Sequence, residues 1–159
     1  MTAVDLAQSD RLAKMRRWFV AARSLLEAIP LAPIQLAMRI AVGSVFFNSR
    51  LLKINSWEFA VKLFEVQYKV PLLDPLWAAR FAAFTELTFP ILLIAGLATR
   101  LATLPLLGMI AVIQTFVYPQ AWTEHLLWAS ILVFILSRGP GALSLDRLIE
   151  QRFSTRTSP

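Results

Sequence analysis

The sequence predicts an all-α protein: a transmembrane antiparallel four-helix bundle with amphipathic interfacial helices. Two observations carry this prediction. Hydrophobic residues make up 57% of the 159 positions and charged residues only 16%, whereas a soluble domain carries about 25% charged residues. The apolar residues are also gathered into four long segments, each near the roughly 20 residues that a helix needs to cross a bilayer. The segments lack the two-residue alternation of transmembrane strands, so we expect helices rather than a barrel.

The four predicted spans follow one another closely, at residues 33–54, 76–98, 100–118 and 121–139. A turn around Thr99 and Arg100 joins the second span to the third, which predicts a tight hairpin. Pro90 and Pro105 lie inside spans, where neighbouring helices can satisfy the backbone groups that proline frees.

Basic residues predict the orientation, since Lys and Arg favour the cytoplasmic side. The formal net charge is +6. Ten Lys and Arg lie in the N-terminal arm, the turn at Arg100 and the tail, against three in the outer loops (Lys53, Lys62 and Lys69). We therefore expect a multi-pass protein of a bacterial-type inner membrane with both termini in the cytoplasm. No short apolar segment is followed by a small-residue cleavage site, so the first span should be retained.

The predicted domains are a cytoplasmic amphipathic arm at 1–32, a four-helix membrane domain at 33–147 and a cytoplasmic tail at 148–159. Apolar residues recur every three or four positions along 11–29, among basic residues that suit anionic lipid head groups. That apolar stripe makes nucleic acid an unlikely partner and the lipid bilayer the expected one. Residues 55–75 hold a second amphipathic segment, which could cap the bundle on its outer side.

Every span carries a polar residue into the outer half of the predicted bundle. At 1.5 Å per residue, Glu86 lies roughly 15 Å below the outer edge, and Asn48, Gln114 and His125 lie roughly 5–9 Å deep. Arg50, Arg80 and Tyr118 lie nearer the outer rim. Ionisable residues inside a membrane usually face the bundle interior or a cavity. We therefore expect one pocket.

Each of these residues also has a structural interpretation. Arg50 and Arg80 could reach lipid head groups or pair with Glu86, and Asn48 and Gln114 could join helices by hydrogen bonds. His125 could be a structural residue held by hydrogen bonds. Arg39, deeper in the first span, is expected to snorkel to the inner side.

The chain has no cysteine and one histidine, which excludes disulfides, thiolate metal sites and bis-histidine haem ligation within the chain, and no metal site is predicted. A small polar pocket open to lipid suits a quinone head group or a proton relay. Glu86 and His125 are then the candidate catalytic residues, and Asn48, Arg50, Arg80, Gln114 and Tyr118 are candidates for pocket lining or ion pairs.

Several motifs occur in a characteristic order between residues 36 and 147. They are "RIAVGSVFF" and "LLKI" in the first span, "ELTFPILLIAGLATRLATLPLLGM" across the hairpin, then "VIQTFVYPQAW", "HLLW" and "GPGALSLD". With these motifs the chain resembles the DoxX family of small four-span membrane proteins. It departs from the family at "NSR", 48–50, where relatives often carry glycine before a basic ending, although Lys53 keeps the lysine.

The resemblance implies a four-helix membrane bundle. Relatives are associated with membrane oxidoreductase complexes, including a subunit of a thiosulfate:quinone oxidoreductase, and others with sulfur, oxidative-stress or metal functions. The family residues that match this sequence are Glu86, Thr99, Arg100, His125, Gly139, Pro140, Gly141, Ser144 and Asp146.

Three functions stay open at this point. The first is the membrane subunit of a quinone-linked redox complex, the second a small protein of copper or stress homeostasis, and the third a non-catalytic scaffold for a soluble partner. The sequence leaves open whether the chain is an enzyme and which cofactor it takes, a quinone being one candidate. It also leaves open whether a redox partner would be soluble or in the membrane, and whether the chain forms homo-oligomers.

Overall fold

The computed structural model describes residues 3–54, 57–68 and 73–154, with side chains described for 11–49, 57–68 and 73–153. The regular secondary structure of these ranges is entirely helical, which confirms the all-α prediction. Two of these helices continue directly into a single π-helical turn: Trp57–Leu63 into Phe64–Tyr68, and Thr99–Val112 into Ile113–Val117. The α-helices of the described residues are α1 (Ala3–Glu27), α2 (Leu31–Ile54), α3 (Trp57–Leu63), α4 (Pro75–Ala95), α5 (Thr99–Val112), α6 (Trp122–Arg138) and α7 (Leu145–Ser154).

Three helical segments of the described chain are long and apolar enough to cross a membrane: Leu31–Ser49, Pro75–Ala95 and Thr99–Val117. They correspond to the first three predicted spans. The fourth predicted span, 121–139, forms α6, which has 17 residues and is shorter than the other three.

The chain divides into two compact units, Met1–Leu31 and Ala32–Pro159. The first unit consists mainly of α1, so the arm predicted at 11–29 is helical over most of its length. Its side chains are exposed from residue 11 onward, including the large apolar groups of Met15, Trp18 and Phe19. Arg23 and Glu27, one turn apart on its surface, form an ion pair at 2.7 Å.

The core of the second unit takes residues from four helices. Each helix places apolar residues three or four positions apart on its inner face, as a helix with one buried stripe must. Gly43 allows α2 to approach α4 closely, because a Cβ at this position would lie 2.6 Å from Cγ1 of Ile94. The buried core consists of Val42, Phe46, Leu93, Leu106, Ile110, Leu132 and Ile135.

The side chain of Arg39, expected to snorkel to the inner side, is instead buried, with 0% of its surface exposed. Nη1 donates to the backbone carbonyls of Ile94, at 3.2 Å, and Leu93, at 3.5 Å, while Nη2 donates to that of Leu143. The last carbonyls of a helix lack partners within the helix and carry its negative dipole end. The end of α4 therefore offers a buried guanidinium both hydrogen bonds and a favourable potential, so the prediction for Arg39 was wrong.

The segment after α6 folds back onto the loop between α4 and α5. Asp146 accepts hydrogen bonds from the backbone N–H groups of Ala98 and Thr99, at 2.7 and 2.9 Å, and from the Thr99 hydroxyl at 2.8 Å. Ala98 has no side chain to cap α5, so a residue from α7 supplies the cap. Ser144 caps α7 by accepting a hydrogen bond from the N–H of Arg147 at 3.2 Å.

The predicted outer amphipathic segment forms α3 and its π-helical turn, which pack on the first half of α4. Phe64 is buried against Ala78 and Ala79, with Trp57, Val61 and Tyr68 around them. These are the apolar face of the segment and the small residues of α4. Because Ala78 and Ala79 are small, they leave room for the ring of Phe64 against α4.

Candidate functional site

A cavity of about 950 Å³ lies among α2, α3, α4, α5 and α6. Most of its wall is apolar, with Phe59, Phe64, Phe81 and Trp128 among the larger groups. It is lined by the first half of α4, the second half of α5 and the first turns of α6, while α3 and its π-helical turn cover one side. The polar residues of the lining are Ser49, Tyr68, Thr85, Glu86, Tyr118, Glu124 and His125.

Glu86 is the most deeply buried carboxylate in the cavity wall, with 3% of its surface exposed. It lies on the face of α4 that also carries Ala79, Ala83, Pro90 and Leu93, all of them buried. The helical spacing of these residues turns the carboxylate inward with the core residues, as the sequence analysis expected for an intramembrane acid.

His125 lies in the first turn of α6 and is 4% exposed. Its Nδ1 is 2.6 Å from Oε1 of Gln114, and Nε2 of Gln114 donates to the backbone carbonyl of Pro119 at 2.8 Å. Gln114 lies in the π-helical turn after α5, so this chain of hydrogen bonds connects the end of α5 with the start of α6. The imidazole is thereby held in one orientation.

Aromatic rings pack next to the imidazole of His125. The ring of Trp128, one turn further along α6, is 5.5 Å from that of His125. Phe46 of α2 meets Trp128 edge to face at 6.3 Å. These contacts place the histidine at the boundary between the apolar core and the cavity.

Two tyrosines face each other where the π-helical turns meet. The rings of Tyr68 and Tyr118 are 6.1 Å apart at an interplanar angle of 76°. Burial raises the pKa of Tyr68, and a hydrogen bond to Tyr118 and the nearby charges of Tyr118 and Glu86 raise it further. Tyr68 is therefore a neutral phenol that can donate or accept a hydrogen bond.

The structure brings together only some of the residues predicted for the site. Glu86, His125 and Tyr118 line the cavity, and Gln114 lies behind His125 as its hydrogen-bond partner. Asn48 is exposed and outside the lining.

Of the two arginines predicted for the site, Arg80 and Arg50, the structure describes the side chain of Arg80 only. Arg80 is exposed and covers the ring of Trp77, with Cζ 5.1 Å from the centroid. The guanidinium of Arg80 is thus engaged by an aromatic ring on the helix surface. The sequence had offered this arginine an ion pair with Glu86 as an alternative. The side chain of Arg50 lies outside the described residues.

Tyr68 and Trp128 were not among the predicted site residues. Tyr68 lies in the amphipathic segment at 55–75 and Trp128 in the fourth predicted span, but neither was given a role in the pocket. A signal was present in each case: a phenol ends an amphipathic segment next to the polar half of the bundle, and an indole lies three positions after His125.

No group of three His, Cys, Asp or Glu that could hold a metal ion occurs in the described part of the chain. What the cavity brings together is two carboxylates, an imidazole and two phenols in a mostly apolar wall. Such a set can bind and exchange protons with a neutral organic molecule.

Comparison with known proteins gives a family and a distant relative. The chain is 28% identical over 133 residues to an uncharacterised protein of Haemophilus influenzae, an alignment that covers 77% of this chain and 87% of the relative. No solved structure matches the chain. The family model described as DoxX matches residues 34–119, which is more than half of the sequence and includes Glu86 and most of the cavity wall. The chain belongs to the DoxX family.

Proposed function

We propose that the protein crosses a bacterial inner membrane four times, through α2, α4, α5 and α6 in an antiparallel bundle, with both termini in the cytoplasm. The 17 residues of α6 give a length of about 25 Å at 1.5 Å per residue, which is at the short end of the range for a span. The Lys and Arg asymmetry supports the orientation.

In this orientation the cavity lies in the outer half of the bundle, and its function is to bind the head group of a membrane quinone. The observation that carries this proposal is the buried pair of Glu86 and His125 in one mostly apolar cavity of about 950 Å³. Ligand sites of this size combine apolar walls with a few placed polar groups. A quinone needs both, since its ring is apolar and its two carbonyl oxygens are polar.

The redox role follows from the chemistry of the ligand. Reduction of a quinone to a quinol takes up two electrons and two protons, and oxidation returns them. Glu86 and His125 would exchange the protons, and a redox partner protein would exchange the electrons. The protein then serves as the membrane subunit of an oxidoreductase complex.

Gly108 offers a direct test because it lines the cavity and an added Cβ would meet no atom within 4 Å. Gly108→Trp should fill the space with an indole, whereas Gly108→Ala should leave most of it open. Both changes remove a helix-interior glycine, so neither is expected to destabilise α5. Gly108→Ala is therefore a matched control.

Binding of a short-chain quinone to the purified protein should be measured by calorimetry in detergent. The wild type and Gly108→Ala should bind it with similar affinity, and Gly108→Trp should bind at least about tenfold more weakly, a loss of roughly 1.4 kcal/mol. Absence of binding to the wild type would refute the proposal and favour a scaffold function. Equal affinity in Gly108→Trp would place the quinone outside this cavity.

A further inference from the structure

The hydrogen bonds around Gln114 fix the position of a proton on His125. The backbone carbonyl of Pro119 can only accept a hydrogen bond, so the group that faces it at 2.8 Å is the amide nitrogen of Gln114. The amide oxygen then faces His125, 2.6 Å from Nδ1. Because that oxygen can only accept, Nδ1 carries the hydrogen.

In the neutral imidazole the other ring nitrogen, Nε2, then has a lone pair and acts as an acceptor. No group in the described part of the chain forms a hydrogen bond with Nε2, although the ring is 4% exposed and lines the cavity. Nε2 is not a fully buried atom, and in the cavity lining it is an acceptor without a protein partner among mostly apolar groups, which is less favourable than an acceptor that receives a hydrogen bond. A ligand that donates a hydrogen bond at this point is therefore favoured over one that cannot.

We propose that the cavity selects the reduced, hydroxyl-bearing form of its ligand, a quinol, whose O–H donates to Nε2 of His125. This inference rests on the proposed quinone function. The oxidised quinone has carbonyl oxygens at both ends and no donor. Its lone pairs would face the lone pair of Nε2, so the site would hold it more weakly.

The other polar groups of the lining do not reverse this preference. The four hydroxyl groups of the lining can each donate or accept a hydrogen bond, so they accommodate either oxidation state of the ligand. Glu86 and Glu124, when ionised, can only accept hydrogen bonds, so like Nε2 they favour a ligand that donates one. His125 is thus the specificity-determining residue, and Gln114 is a positioning residue that fixes its tautomer.

The test compares three ligands with the same short tail: a quinol, the corresponding quinone, and the dimethyl ether of the quinol, which lacks both donors. Calorimetry is carried out without oxygen at about pH 8, where an ordinary imidazole is neutral. The wild type should bind the quinol about tenfold more tightly than either other ligand, which is the effect of losing one ordinary hydrogen bond.

Two variants assign the preference to the proton on His125. His125→Phe keeps an aromatic ring against Trp128 but has no acceptor, so it should bind quinol and quinone with similar affinity. Gln114→Met releases the tautomer, so it should bind the quinone more tightly than the wild type does. A wild type that binds the quinone as tightly as the quinol would overturn this inference and leave the proposed function intact. A wild type that binds none of the three ligands would overturn both.

Discussion

At the scale of single residues, the sequence located the main chemical groups but not their surroundings. A carboxylate in an apolar run and a lone histidine are visible in a sequence because they break a pattern, and both prove to line one cavity. Their neighbours are not visible in this way, since Tyr68 and Trp128 look like ordinary members of apolar faces. Arg39 was misjudged because nothing local shows that residue 143 returns to cover it.

Glu86 is expected to matter for proton exchange more than for folding. Glu86→Gln keeps the shape of the side chain and part of its hydrogen bonding but cannot carry a proton to or from a ligand. Its thermal stability should stay near that of the wild type. Activity in a complementation assay should fall by about 100-fold, in the range for loss of a general acid–base group. Unchanged activity with normal stability would contradict a functional role.

The pKa of Tyr68 predicts an effect of alkaline pH. Because the folded state raises this pKa above the ordinary value of 10.0, the folded protein holds the phenol proton to higher pH than the unfolded chain does. Stability should be insensitive to Tyr68 below about pH 10 and should fall as the pH rises further. The chain has two tyrosines, so tyrosinate absorbance can follow them. Tyr68→Phe, the control, should lack the late-ionising group, and ordinary titration of both tyrosines in the wild type would refute the assignment.

At the scale of elements, hydropathy was a sound guide to where helices lie and a poor guide to how they end. The four predicted spans agree to within three residues with α2, α4, α5 together with its π-helical turn, and α6, because each segment carries apolar residues over its whole length. The π-helical turns after α3 and α5 were not predicted. A single π-helical turn is too short to change the spacing of apolar residues, so the sequence gives no sign of it. Such turns are nevertheless frequent at functional sites.

The cap that α7 provides for α5 gives an element-scale prediction. Asp146→Ala removes the acceptor for two backbone N–H groups and the Thr99 hydroxyl, so it should lower the free energy of unfolding by about 1–2 kcal/mol. Thermal unfolding in detergent would measure the change. Glu150→Ala, an exposed substitution on the same helix, should have little effect. Equal stability of the two variants would show that the cap contributes nothing to the bundle.

At the scale of the whole molecule, the number of spans and the orientation are the claims with most weight. Three segments meet the length and hydropathy of a span, and α6 completes the proposed bundle because its core residues Leu132 and Ile135 pack with those of α2, α4 and α5. Charge and hydropathy alone predicted the four spans and their orientation. The sequence did not predict the contacts between helices, since these depend on which face of each helix packs against which neighbour.

Reporter fusions at each terminus test the topology. An even number of spans with a basic inner face predicts that a cytoplasmic reporter is active at both ends and a periplasmic reporter at neither. A fusion in the loop around residue 120 should show the opposite pattern. A periplasmic signal from either terminus would contradict the four-span arrangement.

The proposed function requires the cavity lined by Glu86 and His125 to bind a quinone-type head group. The most direct measurement is a density map of the protein crystallised in a lipid phase with excess short-chain quinol. The map should show a flat ring in the cavity with one oxygen about 3 Å from Nε2 of His125, the ordinary length of a hydrogen bond. A cavity that holds only lipid acyl chains, or that is closed by its own side chains under these conditions, would contradict it.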